Sequence, residues 1–170
     1  PAAPESAYER LREANAGQRN KAWQTGFARE LDAAARAALV GDALNWSPLA
    51  RGGMLAHFSV SSTGAEGLRL GMTFARLPDG VELRFAGSGD PSRVIGPVLS
   101  PTLRDAAVYW TPLTDGESQT VEIFLPAGVT PQSLDFSVPT LSHLTATPRA
   151  REKQLGGAGW CNTDVVCKSN

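Results

Sequence analysis

The sequence predicts a mainly β protein. The expected fold is an antiparallel, jelly-roll-like β-sandwich with a short N-terminal helix before it and a flexible C-terminal tail after it. Three observations carry that prediction. Between residues 54 and 138, apolar and polar side chains alternate with a period of two in one run after another. Gly and Pro, 17 and 12 residues, punctuate those runs as turns would. No helical pattern is interleaved between the runs, as a parallel sheet would need for its crossovers.

The elements follow in order. Residues 5–16 read as a helix, with Ser6-Ala7-Tyr8-Glu9 as a capping box and Gly17 as its stop. Lys21 to Arg29 reads as a first strand, with Trp23, Thr25 and Phe27 on one side. Residues 30–40 are good helix formers, readable as a helix or a compact connection, and Gly41 ends them. Met54, Ala56, Phe58 and Val60 then form one face of a strand, and Leu68, Leu70, Met72 and Phe74 one face of the next. Asp79-Gly80 signals a turn into Val81, Leu83 and Phe85, and Asp115-Gly116 a second turn. Val121, Ile123 and Leu125, then Leu134, Phe136 and Val138, complete the series. Pro126 and Pro139 are expected at strand ends or edges, where a missing amide is tolerated. All these apolar sets should face one core.

A chain of 170 residues makes one domain of ordinary size and buries about 70% of its unfolded surface. Hydrophobic residues are 42% and charged residues 19%, which excludes wholesale disorder. Lys plus Arg is 16 against 17 for Asp plus Glu, so no field exists to hold nucleic acid or an anionic membrane. No apolar stretch is long enough for a membrane span, and the chain is expected to be monomeric. Pro1-Ala2-Ala3-Pro4 carries no basic region followed by an apolar one. The chain therefore reads as trimmed, with its signal peptide already absent.

Candidate chemistry is sparse. Ser and Asp are plentiful, but the sequence has only two histidines and no G-x-S-x-G elbow. His57 falls on the polar side of its strand and reads as a solvated surface residue. His143 follows an apolar run and reads as a partly buried, hydrogen-bonded structural residue. Gly87-Ser88-Gly89-Asp90 lacks the third glycine and helix of a phosphate cradle and reads as a loop. Asn45-Trp46-Ser47 is formally a glycosylation acceptor, but the Ala- and Arg-rich composition has a bacterial character that gives it little weight. Trp23, Trp46 and Trp110 are candidates for a sugar site and, more simply, for core packing. No cofactor is implied. Cys161 and Cys167 have no accompanying ligand pair for zinc, so disulfides are the better reading, to each other or to a part outside this sequence.

The expected organisation is a helical segment over 1–20, a sandwich over 21–146, a linker with a processing region over 147–160, and a truncated further segment over 161–170. The linker is polar and basic at Arg149, Arg151 and Lys153, then glycine-rich. The stretch Gly156-Gly157-Ala158-Gly159-Trp160-Cys161-Asn162-Thr163-Asp164-Val165-Val166-Cys167 resembles the start of the mature domain of bacterial lysyl endopeptidases and related secreted trypsin-like serine proteases. Upstream, Gly67 to Phe74, Leu77 to Phe85, Pro126 to Val129 and Leu141 to Leu144 are similar to the N-terminal prodomain of those precursors.

That resemblance implies a secreted precursor whose catalytic residues lie downstream, so none is assigned here. It implies that Cys161 and Cys167 pair with cysteines of the protease domain. The family's self-cleavage follows a Lys directly before the glycines. Here Leu155 precedes Gly156 and the nearest Lys is Lys153. Cleavage at Lys153, cleavage by another protease, and no cleavage remain the alternatives. The functional expectation is a pro-region that assists folding of the downstream protease domain and blocks it until cut. The alternative is a carbohydrate- or protein-binding module using Trp46, Tyr109 or Trp110. An enzyme in its own right, working through His57 or His143, is the third and weakest reading.

Overall fold

The computed structural model describes residues 2–16, 22–33, 36 and 43–147. Helix α1 (Glu5–Asn15) is followed by β1 (Gly26–Glu30), β2 (Ser47–Pro48), β3 (Met54–Ser61), β4 (Gly67–Arg76), β5 (Glu82–Gly87) and β6 (Asp90–Leu99). A short helix α2 (Ser100–Arg104) leads to β7 (Tyr109–Trp110), β8 (Thr114–Asp115) and β9 (Ser118–Leu125). A 3-10 turn, Pro131–Ser133, precedes β10 (Asp135–Leu144). One antiparallel sheet has the order β1-β10-β4-β7, with β8 also paired to β4. The other has the order β2-β3-β9-β5-β6. The two form the expected sandwich.

The period-two runs do what their pattern implies. Phe58, Val60, Leu68, Leu70, Met72, Val81, Leu83, Phe85, Val121, Ile123, Leu125, Leu134, Phe136 and Val138 are buried in one cluster, and Met54 and Phe74 pack against it. Both Asp-Gly turns are present, with Gly80 and Gly116 at φ of 77° and 99°, a conformation that glycine adopts without steric cost. Gln119 fastens the sheets at one end. Its amide nitrogen donates to the Pro112 carbonyl at 3.0 Å and to Thr114 Oγ1 at 2.9 Å, and its oxygen accepts from Thr111 Oγ1 at 2.7 Å. The side chain is fully buried and fully partnered, so it orders the core without an unpaired polar group.

The structure corrects several expectations. Helix α1 begins one residue before Ser6, with Pro4 at the N-cap and no side-chain cap, so no capping box forms. Ala16 ends it, and Gly17 lies outside the described residues. The first strand starts at Gly26, not Lys21. A Cβ at Gly26 would collide with the carbonyl oxygen of His143, so close pairing with β10 begins where glycine allows it. Most of the 30–40 segment is outside the described residues, although Arg36 N donates to the Asp32 carbonyl at 3.0 Å.

Pro139 lies inside β10, which is flanked by β1 and β4, rather than at an end or edge. It sits in a register irregularity between Ser137 and Thr140, where a bulge absorbs the missing amide. Strand β6 was not expected. It is an outer strand that carries Pro91 and Pro97, and most of it is exposed. Prolines and bulges protect such an edge from pairing with other chains, and they also hide it from a periodicity test.

Replacing Leu83 or Phe136, each no more than 1% exposed, with Ala should lower the free energy of unfolding by about 2–5 kcal/mol. Val94→Ala on the exposed edge should change it by no more than about 0.5 kcal/mol. Urea unfolding followed by tryptophan fluorescence reads both. Equal costs at the two kinds of site would contradict the two-layer core.

Candidate functional site

The polar residues that matter most gather where α1 meets the first sheet. Helix α1 buries Ala7, Leu11 and Asn15, spaced by four, so one stripe faces the sandwich. Beside that stripe, Tyr8 meets Phe27 of β1 and His143 of β10 edge-on, with ring centroids 5.3 and 5.6 Å apart. Phe27 and His143 stack at 4.7 Å, as their direct pairing across β1 and β10 requires.

His143 is completely buried, and both its nitrogens are engaged. Nε2 lies 3.0 Å from the Tyr8 hydroxyl and Nδ1 lies 2.8 Å from Ser62 Oγ. Arg29 donates to the same Ser62 oxygen and, through its other nitrogen, to the Ala2 carbonyl at 3.1 Å. The Ser62 hydroxyl is thus left to donate to Nδ1, and a neutral ring donates from Nε2 to Tyr8. Burial pushes the imidazole pKa below its ordinary value, the nearby Arg29 adds to this, and Glu117 opposes it.

The Ser62–His143 pair has the spacing of a nucleophile and its base. It lacks their setting. Both residues are sealed from solvent, a tyrosine hydroxyl stands where an orienting carboxylate would be needed, and an arginine already occupies the serine oxygen. The pair is a structural clasp. His143 therefore has the hydrogen-bonded structural role expected of it and is buried more deeply than expected.

His57 is exposed on the outer face of the second sheet. Its Nε2 lies 2.9 Å from Glu122 Oε2, and Glu122 also accepts from Arg84 at 3.2 Å. Ser59–Thr120 and Ser61–Ser118 continue the same exposed ladder at 2.8 and 2.7 Å. Gly87 to Asp90 is the tight turn between β5 and β6, where the Gly89 amide donates to the Asp115 carbonyl. No group of three or more His, Cys, Asp or Glu among the described residues is placed to hold a metal ion. No helix among the described residues is long and apolar enough to cross a membrane.

The candidate aromatic platform is dispersed. Trp46 and Tyr109 pack against the core, and burial raises the Tyr109 pKa against the opposing effect of Arg69. Trp110 is partly exposed at the β7 edge, with the Arg69 guanidinium 5.9 Å from its ring centroid. Trp23 stands at the other side of that sheet, beside α1. The Asn15 side chain grips the backbone next to it, donating to the Gln24 carbonyl at 2.8 Å and accepting from the Gln24 amide at 2.9 Å. Trp23, α1 and Thr145 enclose an open groove of about 350 Å³. Sequence reasoning did not find this groove. Its sequence signals were Trp23 among the candidate rings and Asn15 in register with Ala7 and Leu11. The processing residues Lys153, Leu155 and Gly156, and the cysteines Cys161 and Cys167, lie outside the described residues.

The two sheets enclose a Ser–His pair that is locked into the fold. The profile of the lysyl endopeptidase N-terminal domain matches residues 1–145, and the chain belongs to that family. It is also similar to a lysyl endopeptidase of Pseudomonas aeruginosa, 32% identical over 133 residues. That match takes in 73% of this chain and 28% of the relative, so the chain spans well under half of the relative's length. No solved structure matches the chain.

The clasp carries a pH dependence with a definite sign. In the unfolded chain His143 titrates near its ordinary value of about 6.5, and in the fold it titrates lower. The unfolded state therefore binds the extra proton first. Stability is complete above about pH 6.5 and falls below it, by up to about 1.4 kcal/mol per pH unit until the folded value is passed. Thermal unfolding between pH 7 and 5 should show this fall. His143→Gln should flatten it. An unchanged slope in His143→Gln would refute the assignment.

Proposed function

We propose that this domain is the non-catalytic N-terminal pro-region of a secreted serine endopeptidase precursor. In this reading it assists the folding of the protease domain behind it and blocks that domain until the linker is cut. The observation that carries the reading is family membership over residues 1–145, with the protease-like start at 156–167 further along the same chain.

The physics of the fold supports it. Sheet proteins dominated by pairings between distant segments fold slowly, because loop-closure entropy is lost before the contacts form. A preformed, rigid sandwich joined to such a chain can bind its folding transition state and lower that barrier. The Ser62–His143 pair is committed to the fold, which leaves the chemistry to the downstream domain. The basic residues Arg149, Arg151 and Lys153 suit the acidic specificity pocket of a trypsin-like enzyme, and Lys153 is the proposed cut.

Deleting residues 1–145 from the precursor should reduce the recovery of active protease on refolding by about tenfold or more. Adding the separate domain back should restore the yield and, in excess, inhibit the enzyme. Full recovery without the domain would defeat the proposal. Limited trypsin digestion with N-terminal sequencing tests the linker. Cuts at Arg149, Arg151 or Lys153 with the sandwich intact are expected, and cuts confined to the sandwich would reject it.

A further inference from the structure

We propose that the groove between α1 and Trp23 is the surface on which this domain holds the protease domain that follows it in the same chain. The inference rests on the pro-region reading above and names the surface that reading requires.

Trp23 is 59% exposed, more than any other large apolar side chain among the described residues. The backbone that follows it is held in place. Asn15 fixes the backbone amide and carbonyl of Gln24, and the Gln24 side chain donates to the Gly26 carbonyl at 2.9 Å. A large ring displayed on a fixed backbone loses little entropy when a partner covers it. Tyr8, Leu11 and Thr145 supply the rest of a mainly apolar wall enclosing about 350 Å³, room for one or two apolar side chains from a partner. Arg12, also in the lining, pairs with Glu5 at 2.9 Å in an exposed ion pair at the rim. An apolar centre with a Trp and a charged rim is the anatomy of a protein-binding hot spot.

The remaining exposed apolar residues do not compose such a site. Val94 and Leu99 lie on the proline-bearing edge strand β6, Leu49 follows the short edge strand β2, and Trp110 is at the β7 edge with Arg69 over its ring. Scattered residues of that kind are ordinary surface.

The occupant follows from where the chain goes. Thr145 is part of the groove wall, and 25 residues follow it in this sequence. The matched region takes in 28% of the relative, so most of a protein of that kind lies outside this domain. A domain tethered beside the groove meets it at an effective concentration of about millimolar, which favours it over any free partner.

The test uses the full precursor carrying Trp23→Ala, Trp23→Arg or, from the opposite wall, Ala16→Glu. After processing, the protease is assayed for inhibition by its own N-terminal domain and for co-elution with it. Each groove variant should weaken inhibition by about 30-fold or more, while the domain's thermal unfolding stays unchanged. Trp110→Ala, at the far edge of the same sheet, should inhibit like the wild type. If the wild type inhibits and the groove variants inhibit equally, the groove is not the surface. If the variants abolish only self-association of the chain and leave inhibition intact, the groove serves a second copy and the proposal is overturned. If the wild-type domain neither inhibits nor co-elutes, the pro-region reading itself fails and the docking surface fails with it.

Discussion

His143 must be buried as a neutral ring, and much of the molecule is arranged to allow that. A buried imidazole needs a partner on each nitrogen, since an unpaired one costs about 1–3 kcal/mol. Tyr8 comes from α1 and Ser62 from the end of β3, so one side chain ties the helix and both sheets together. Arg29 completes the set by holding Ser62 and reaching the Ala2 carbonyl, which fixes the approach to α1. The backbone of the same histidine sets where β1 can begin, because only glycine at 26 fits against its carbonyl. With the helix and β1 placed, Asn15 meets Gln24 and Trp23 takes its position. The groove is therefore a consequence of the clasp and not a separate feature.

The strands were legible because burial on one face leaves a period of two. Phe58/Val60, Leu68/Leu70/Met72, Leu83/Phe85 and Val121/Ile123/Leu125 all point to one interior. The pattern fails where that cause is absent. Strand β6 has little buried face and two prolines, and β2, β7 and β8 are two residues each, too short for any period. Pro139 misled because a strand proline usually marks an edge, whereas here a bulge serves the same need inside a sheet. Ser6 and Glu9 have the spacing of a cap, but the helix starts at Glu5, so neither is where a cap would act.

The candidate site was less legible than the fold, for a definite reason. Tyr8, Ser62 and His143 are separated by 135 and 81 positions along their two contacts. No local pattern links residues that only sheet closure brings together. A histidine after an apolar run signals burial, but not its partners. The same holds for Trp23, whose exposure depends on a helix that ends eight positions before it.

Chain order gives the groove a further property. The second sheet, β2-β3-β9-β5-β6, is complete in sequence by Leu125. The first is not, because β10 is the last strand in the chain and lies between β1 and β4. Among the described residues β1 pairs only with β10, and Tyr8 finds its hydrogen-bond partner on the same strand. Until Leu144 is in place, α1 has no histidine to clasp, β1 has no ladder, and Thr145 is not there to close the groove wall. The family match ends at residue 145, one position past the end of that strand. A groove built this way exists only on a completed fold, and β10 with Thr145 completes it. If the protease domain docks there as proposed, it meets either a finished surface or none.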